Sequence, residues 1–295
     1  MFSGVYTALL TPFNNNNKVD FNALDNLLNI QILNGVDGIV PCGTTGESAT
    51  LTTEEHKAVI EFCVKKIKGK IKILAGTGSN CTEKTIQLTK FAEKIGCDGA
   101  LVVSPYYNKP TQNGLYLHFK AIADSVKIPI VLYNIEGRTS INIDPSTVTK
   151  ICQTCKNVIG IKEASGSLKQ MSIIKLLNPN TELISGDDIL TLPLLSIGGV
   201  GVISVLSNIL PLDVVSLVKT FKKGNINDAI KIHYRLLPLM KTMFIETNPI
   251  PVKTAASLLN LCELKFRLPM CQMKDDNKTK LVQSLYDYEL LKLTR

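Results

Sequence analysis

The sequence predicts an α/β protein, a closed (β/α)8 TIM barrel with a C-terminal helical extension. Eight short apolar runs alternate with longer amphipathic segments, and a glycine pattern recurs before two of the runs. The 295 residues, 45% of them hydrophobic, suffice for one large core. An open doubly wound sheet is the alternative, but no Gly-Xaa-Gly-Xaa-Xaa-Gly fingerprint follows the first run.

The apolar runs are predicted to be strands because they are nearly continuous rather than alternating. Strands that are covered on both faces, as in a parallel barrel, have this pattern. The predicted strands span residues 5–12, 38–42, 71–75, 100–104, 129–133, 158–161, 182–185 and 200–205.

Helix boundaries are marked by local signals. Thr52 and Glu55 have capping-box spacing, which predicts a helix start there and an end near Gly69. Gly35-Val36-Asp37-Gly38 recurs as Gly96-Cys97-Asp98-Gly99. A glycine that ends a helix shortly before a strand is typical of a repeating βα fold.

We expect two parts, a barrel over residues 1–210 and a helical extension over residues 211–295. The second part is predicted to be wholly helical after Asn208, with a break at Asn248-Pro249-Ile250-Pro251. Residues 189–212 are uncharged, but prolines and glycines interrupt them, so we predict no membrane span. The N-terminus lacks a basic region typical of a secretory signal, which favours a cytoplasmic protein.

Composition excludes several classes of function. The net charge is +8, but the lysines are dispersed and form no basic patch for nucleic acid. Eight cysteines in so long a chain predict no disulfide framework. Cys152 and Cys155 form one CxxC pair without further ligands at zinc spacing, so no metal site is expected.

Side chains at the carboxyl ends of barrel strands are candidates for catalysis. Lys162 ends the sixth predicted strand among apolar neighbours, and burial lowers the pKa of a lysine ammonium, which makes the amine a nucleophile for carbonyls. The alternative is a lysine that reaches solvent or pairs with Glu163. Tyr133 ends the fifth strand, and its hydroxyl is suited to relaying protons, or else its ring plugs the barrel mouth.

Two further groups are suited to binding carboxylates. The turn Gly43-Thr44-Thr45-Gly46-Glu47 combines hydroxyls with glycines that allow close approach of the backbone. Arg138 follows Tyr133 by five residues and offers a bidentate guanidinium, although a surface ion pair is the simpler alternative.

Seven motifs occur in order along the chain. They are Gly43-Thr44-Thr45-Gly46-Glu47-Ser48, Pro105-Tyr106-Tyr107-Asn108-Lys109-Pro110, Tyr133-Asn134 with Arg138-Thr139, Gly160-Ile161-Lys162-Glu163-Ala164-Ser165-Gly166, Ser185-Gly186-Asp187-Asp188, Gly201-Val202-Ile203-Ser204 and Asn248-Pro249-Ile250-Pro251-Val252-Lys253. Together they closely resemble the dihydrodipicolinate synthase family of pyruvate-dependent class I aldolases, from Phe2 to about Met270.

The resemblance implies a lyase of diaminopimelate and lysine biosynthesis that condenses pyruvate with L-aspartate-4-semialdehyde. Lys162 would form a Schiff base with pyruvate, and Tyr133 would donate and accept protons. Thr44 and Tyr107 would complete the proton relay, with Tyr107 reaching in from a neighbouring subunit. Because the imine is the electron sink, no cofactor or metal is implied.

The resemblance also implies the substrate contacts and the assembly. Thr45 and the backbone at Ile203 would hold pyruvate, Arg138 would receive the carboxylate of the semialdehyde, and Gly186 would belong to the substrate site. The protein would be a homo-oligomer, in this family often a dimer of dimers. Alternatives are another pyruvate aldolase, such as an N-acetylneuraminate lyase, and a non-catalytic barrel that binds a keto acid. Relatives with those other activities generally lack the paired threonines and the arginine.

Four positions depart from the family pattern. Glu136 replaces a proline and Ser140 replaces a glycine on either side of Arg138, so both could reposition it. In lysine-inhibited relatives an interface site uses residues that match Ser48, Ala49, His56, Asn80 and Tyr106. Here Thr53 replaces a histidine and Lys84 replaces a glutamate that would pair with the ligand's ammonium, so we expect weak or absent inhibition by lysine.

Overall fold

The eight predicted strands form a closed parallel barrel in chain order, β1 to β8. A computed structural model describes residues 1–291. The strands are β1 (Gly4–Ala8), β2 (Gly38–Val40), β3 (Lys72–Gly76), β4 (Gly99–Val103), β5 (Ile130–Asn134), β6 (Val158–Glu163), β7 (Glu182–Ser185) and β8 (Gly201–Ser204). Each predicted run overlaps its strand, and the ends differ by up to four residues. The (β/α)8 class is confirmed.

Helices surround the barrel and follow its strands. They are α1 (Phe21–Leu33), α2 (Thr53–Ile67), α3 (Thr82–Ile95), α4 (Gln112–Ser125), α5 (Glu136–Thr139), α6 (Pro145–Thr154), α7 (Leu168–Leu177), α8 (Thr191–Ser196), α9 (Pro211–Lys222), α10 (Ile226–Thr242), α11 (Ile250–Leu258) and α12 (Asp275–Asp287). Short 3-10 turns follow β2 and β8.

Two apolar layers lie on either side of the barrel wall. In β5, Val131 and Tyr133 point into the small inner cluster, whereas Ile130 and Leu132 belong to the large core between strands and helices. This alternation is the two-residue period of a strand. It decides which strand residues reach the barrel interior.

The predicted helix signals have the expected contacts. Thr52 caps α2 by accepting from the Glu55 backbone N–H, and the Glu55 carboxylate accepts from the Thr52 N–H. Gly35 and Gly96 both have left-handed φ angles just after a helix, +69° and +86°. Such angles favour glycine because a side chain would be strained there.

The repeated aspartates tie neighbouring strands together at their amino ends. Asp37 Oδ2 accepts from the Val5 N–H in β1, and Asp98 Oδ2 accepts from the Ile73 N–H in β3, both at 2.8 Å. The repeat thus serves the closure of the sheet.

The C-terminal part differs from its prediction. Residues 259–274 are not helical, so the expectation of a wholly helical segment after residue 208 is wrong. This stretch is held by tertiary contacts: Arg267 forms an ion pair with Glu55 and donates to the Asn17 and Thr50 carbonyls. The helix α9 packs against β1 beside the barrel. The boundary at 210/211 stays a prediction, and it separates β8 from this helix.

The uncharged residues 189–212 fold as α8, β8 and a short turn. Within residues 1–291, no helix is both long and apolar enough to cross a membrane. All eight cysteines are free thiols, and the described part of the chain holds no cluster of metal-binding side chains.

Candidate active site

Lys162 lies in β6 near the carboxyl end of the barrel and beside Tyr133 of β5. The two residues are in register across the β5–β6 pair. The Lys162 Nζ is 4.2 Å from the centre of the Tyr133 ring, and the two residues are only 6% and 5% exposed. A buried amine and a buried phenol are therefore neighbours at the barrel mouth.

Glu163 is not the partner of Lys162. Its carboxylate accepts from the Asn134 amide at 3.1 and 3.2 Å, from the Gln170 amide and from the Ser165 backbone N–H. No ion pair of Lys162 occurs within residues 1–291. The alternative of a Lys162–Glu163 pair is thereby excluded, because the Glu163 carboxylate lies in a polar network with Asn134 of β5, Gln170 of α7 and the Ser165 backbone.

The turn after β2 places Thr44 and Thr45 at the same pocket as Lys162. Thr45 is buried, and its hydroxyl accepts a hydrogen bond from the Asn248 amide at 3.0 Å. Glu47 has a left-handed backbone, φ +51°, which is strained for a side-chain-bearing residue. Its buried carboxylate pairs with the ammonium of Lys253 from α11, which fixes the end of the turn.

Arg138 is in the one-turn helix α5, directly after β5. Its Nη2 donates to the Asn248 main-chain carbonyl at 2.7 Å, so Arg138 is directed to the pocket rather than to a surface ion pair. Ser140 ends α5 with φ +58°, a conformation that favours glycine. Glu136 begins this helix, with its side chain exposed. The serine thus keeps the backbone shape for which glycine is the unstrained residue.

Gly186 lies against Lys162, where no larger residue fits. A Cβ added at Gly186 would lie 2.6 Å from the Ala164 Cβ and 3.0 Å from the Lys162 Cε. The missing side chain leaves room beside the amine. Ile203 is fully buried in β8 and belongs to the inner apolar cluster.

Tyr107 is the one predicted catalytic residue that the fold of a single chain does not bring to the pocket. Its side chain is 91% exposed, and its backbone has φ +74°. Lys72, the alternative lysine at the start of β3, donates instead to the Met1 carbonyl at the opposite end of the barrel.

A larger cavity of about 460 Å³ adjoins the pocket and shares Thr44, Ile135, Arg138 and Asn248 with it. Its lining includes Ser48, Ala49, His56, Tyr106 and Lys84, whereas Asn80 and Thr53 are not part of it. The His56 Nε2 lies 2.8 Å from the Gly76 carbonyl oxygen, and burial lowers the pKa of this histidine.

Besides apolar barrel residues, Asn248 and Phe244 line the pocket without a role in the sequence prediction. Asn248 contacts Thr45 and Arg138, and Phe244 lines the pocket from the end of α10. The Asn-Pro-Ile-Pro motif is the signal for Asn248, although as a pattern it indicates only a helix break. Nothing local distinguishes Phe244 from an ordinary core residue.

Comparisons with known proteins agree with this architecture. A curated protein of Endomicrobium trichonymphae named 4-hydroxy-tetrahydrodipicolinate synthase is 68% identical over 292 residues, 99% of this chain and 100% of that protein. The crystal structure of dihydrodipicolinate synthase from Aquifex aeolicus is 49% identical and superposes with a TM-score of 0.96, covering 98% of this chain and 99% of that one.

A third relative is a structure described as the first monomeric dihydrodipicolinate synthase variant. It is 42% identical, with a TM-score of 0.95, and covers 98% of each chain. The Dihydrodipicolinate synthetase family matches residues 1–287, nearly the whole sequence. The chain therefore belongs to the dihydrodipicolinate synthetase family.

Proposed function

We propose that this enzyme condenses pyruvate with L-aspartate-4-semialdehyde to give 4-hydroxy-tetrahydrodipicolinate, a step of diaminopimelate and lysine biosynthesis. The observation that carries the proposal is the Lys162 amine. It is 6% exposed, lies beside Tyr133 and forms no ion pair with any described carboxylate. A buried amine without a counter-ion is suited to attack a ketone.

The reaction begins when the Lys162 amine adds to the keto carbon of pyruvate. The resulting carbinolamine loses water to give an imine, which withdraws electrons from the pyruvate methyl group. Loss of a methyl proton gives the enamine, whose carbon attacks the aldehyde of the second substrate. The amine of that substrate then displaces Lys162 as the ring closes, and one water is released for each product.

Every one of these steps moves a proton, so a hydroxyl relay is needed. We assign Tyr133 as the group that gives and takes protons at the lysine-bound carbon. Thr44 lines the same pocket and would connect Tyr133 to Tyr107 of a neighbouring subunit. The outward position of Tyr107 supports this assignment.

Binding of the two carboxylates is assigned to different sides of the pocket. Thr45 and the backbone at Ile203 would hold pyruvate, and Gly186 gives the substrate room beside Lys162. Arg138 would bind the carboxylate of the semialdehyde through its planar guanidinium.

We further propose a dimer of dimers that works in the cytoplasm. Tyr107 needs one neighbouring subunit. A second contact is supported by an apolar surface of α8 and α10, where Ile226, Ile230 and Tyr234 are exposed beside Leu192. Exposed apolar surface of this kind marks interfaces between subunits.

Borohydride reduction in the presence of pyruvate tests the central assignment. Mass spectrometry should find the reduced pyruvate adduct on Lys162 and none in Lys162→Ala. Lys72→Ala, which removes a lysine at the other end of the barrel, is the matched control and should be trapped like the wild type. A wild-type protein without an adduct on Lys162 would refute the mechanism.

The acceptor is tested at saturating pyruvate. Turnover should be measured with aspartate semialdehyde and, separately, with N-acetylmannosamine, the acceptor of an N-acetylneuraminate lyase. Turnover of the semialdehyde alone is the expected outcome. Preference for the amino sugar would instead identify the enzyme as an N-acetylneuraminate lyase.

A further inference from the structure

Asn248 contacts two predicted substrate-binding residues, which lie in loops that follow different strands. It precedes α11, is 5% exposed, and lines both the Lys162 pocket and the adjoining cavity. Its side-chain Nδ2 donates to Thr45 Oγ1 at 3.0 Å, and its main-chain oxygen accepts from Arg138 Nη2 at 2.7 Å. One residue therefore contacts a group from the β2 loop and a group from the β5 loop.

The remaining polar atom of the Asn248 side chain lacks a partner. Oδ1 is buried and has no hydrogen-bond partner among the described residues. Buried amide oxygens are nearly always paired, and functional sites are where exceptions occur. The Asn248 side chain therefore has one hydrogen bond among the described residues, the one to Thr45.

The segment that carries Asn248 is itself firmly anchored. Five residues further on, the fully buried ammonium of Lys253 pairs with Glu47 and donates to the Thr11 and Lys265 carbonyls at 2.9 and 3.1 Å. A buried ion pair of this kind cannot be broken without leaving a desolvated charge. Asn248 is thus held on a fixed support, as a residue that orients others must be.

We propose that Asn248 is a positioning residue for both substrates. Its side-chain amide orients the Thr45 hydroxyl toward pyruvate, and its carbonyl orients Arg138 toward the carboxylate of the second substrate. The inference rests on the proposed function, from which it takes the roles of Thr45 and Arg138. The proposal adds a physical link between the two subsites. No local sequence pattern predicts this link.

Asn248→Ala tests the link, with Asn178→Ala as the matched control. Asn178 is also buried and also donates to a threonine, Thr149 Oγ1 at 2.7 Å, but in the helical layer. In Asn248→Ala the pyruvate concentration for half-maximal borohydride trapping should rise about tenfold, the size expected for one lost orienting hydrogen bond. The KM for aspartate semialdehyde should change by less than about twofold, because the alanine variant keeps the main-chain carbonyl that accepts from Arg138.

Asn178→Ala should keep both concentrations within about twofold of the wild type, because the hydrogen bonds lost there lie outside the pocket and the adjoining cavity. Thermal unfolding of both variants shows how much either change affects the fold. Unchanged pyruvate trapping in a folded Asn248→Ala protein would overturn the inference. Absence of trapping in the wild type would instead overturn the proposed function and the inference with it.

Thr45 probes the same hydrogen bond from its other end. Thr45→Val should weaken pyruvate trapping, whereas Thr45→Ser, which keeps the hydroxyl, should stay close to the wild type. In the Thr45→Val background, Asn248→Ala should add less than about twofold to the trapping concentration, since coupled residues are not additive. Fully additive effects would show that Asn248 does not act through Thr45 and would refute the proposal.

Discussion

Lys162 and Glu163 are adjacent in β6 but serve opposite sides of the barrel wall. The lysine points to the interior beside Tyr133, and the glutamate accepts hydrogen bonds from Asn134 of β5 and Gln170 of α7. The two-residue period of the strand causes this separation. Adjacent lysine and glutamate side chains could form an ion pair in a loop. In a strand they point to opposite faces, so the lysine amine stays unpaired.

Lysine is expected to inhibit this enzyme weakly or not at all. The exposed ammonium of Lys84 lines the cavity that contains Ser48 and His56, and it would repel the ligand's ammonium. Initial rates at saturating substrates should stay above half of the uninhibited rate at about 1 mM lysine, a concentration that would half-saturate a site with a binding free energy of only about 4 kcal/mol. Half-inhibition below that concentration would contradict the prediction.

Reversal of the charge provides the control. Lys84→Glu should lower the lysine concentration for half-inhibition, because a carboxylate then faces the ligand's ammonium. The uninhibited rate should change little, since Lys84 lies outside the Lys162 pocket. If Lys84→Glu leaves the lysine response unchanged, a different residue determines it.

Single residues were predictable from the sequence where a strand end or a motif marks them. Lys162 and Tyr133 follow apolar runs, and Thr44 with Thr45 lies in a glycine-bounded turn. The contact of Asn248 with Thr45 spans 203 residues of chain, and no local pattern reports such a distance. The roles of Tyr107 and Ile203 come from the family resemblance and stay predictions.

At the scale of elements, regular signals predicted regular structure. The capping box locates α2, and the repeated glycines end α1 and α3. The prediction of helix fails over residues 259–274. This non-helical stretch is held by long-range contacts such as those of Arg267 with Glu55 and Asn17. Local propensity cannot predict a segment whose conformation depends on a partner about 200 residues away.

The Arg267–Glu55 pair should make stability depend on pH. The guanidinium donates to both Glu55 oxygens at 2.6 Å, and this hydrogen bonding lowers the pKa of the Glu55 carboxyl. A carboxyl whose pKa is lower in the folded state stabilises the fold above its unfolded pKa, about 4.3. That contribution, about 1 kcal/mol for a partly solvent-screened pair, is lost as the pH falls through the folded pKa.

Urea unfolding of the wild type and of Glu55→Gln at pH 7 and at pH 3 measures this contribution. The variant keeps an oxygen for the Thr52 cap and loses only the charge, so it should be less stable at pH 7 and nearly equal at pH 3. Glu54→Gln, an exposed neighbour in the same first turn, is the control and should change little. An equal loss at both pH values would exclude the ion pair as the cause.

At the scale of the whole molecule, barrel closure brings β8 against β1, about 200 residues apart in sequence. Closure collects Lys162, Tyr133, Thr45 and Arg138 at one mouth. The strands are buried on both faces, as their nearly continuous apolar runs predict, so the sequence was sufficient to predict the fold class. The sequence was insufficient to predict subunit contacts, because an exposed Tyr107 has the same local sequence pattern whether it faces solvent or a second chain.

Mixed oligomers test whether Tyr107 acts across a subunit contact. Lys162→Ala and Tyr107→Phe should each be nearly inactive alone, since one lacks the nucleophile and the other the relay. In a mixed dimer, the Tyr107→Phe subunit supplies Lys162 and receives an intact Tyr107 from its Lys162→Ala partner, so one site of the two is complete. Random pairing of equal amounts makes half of the dimers mixed, and activity should recover to about a quarter of the wild type. Co-expression with two different affinity tags isolates the mixed species for assay, and a mixed dimer as inactive as its parents would place Tyr107 in its own subunit's site or outside the relay.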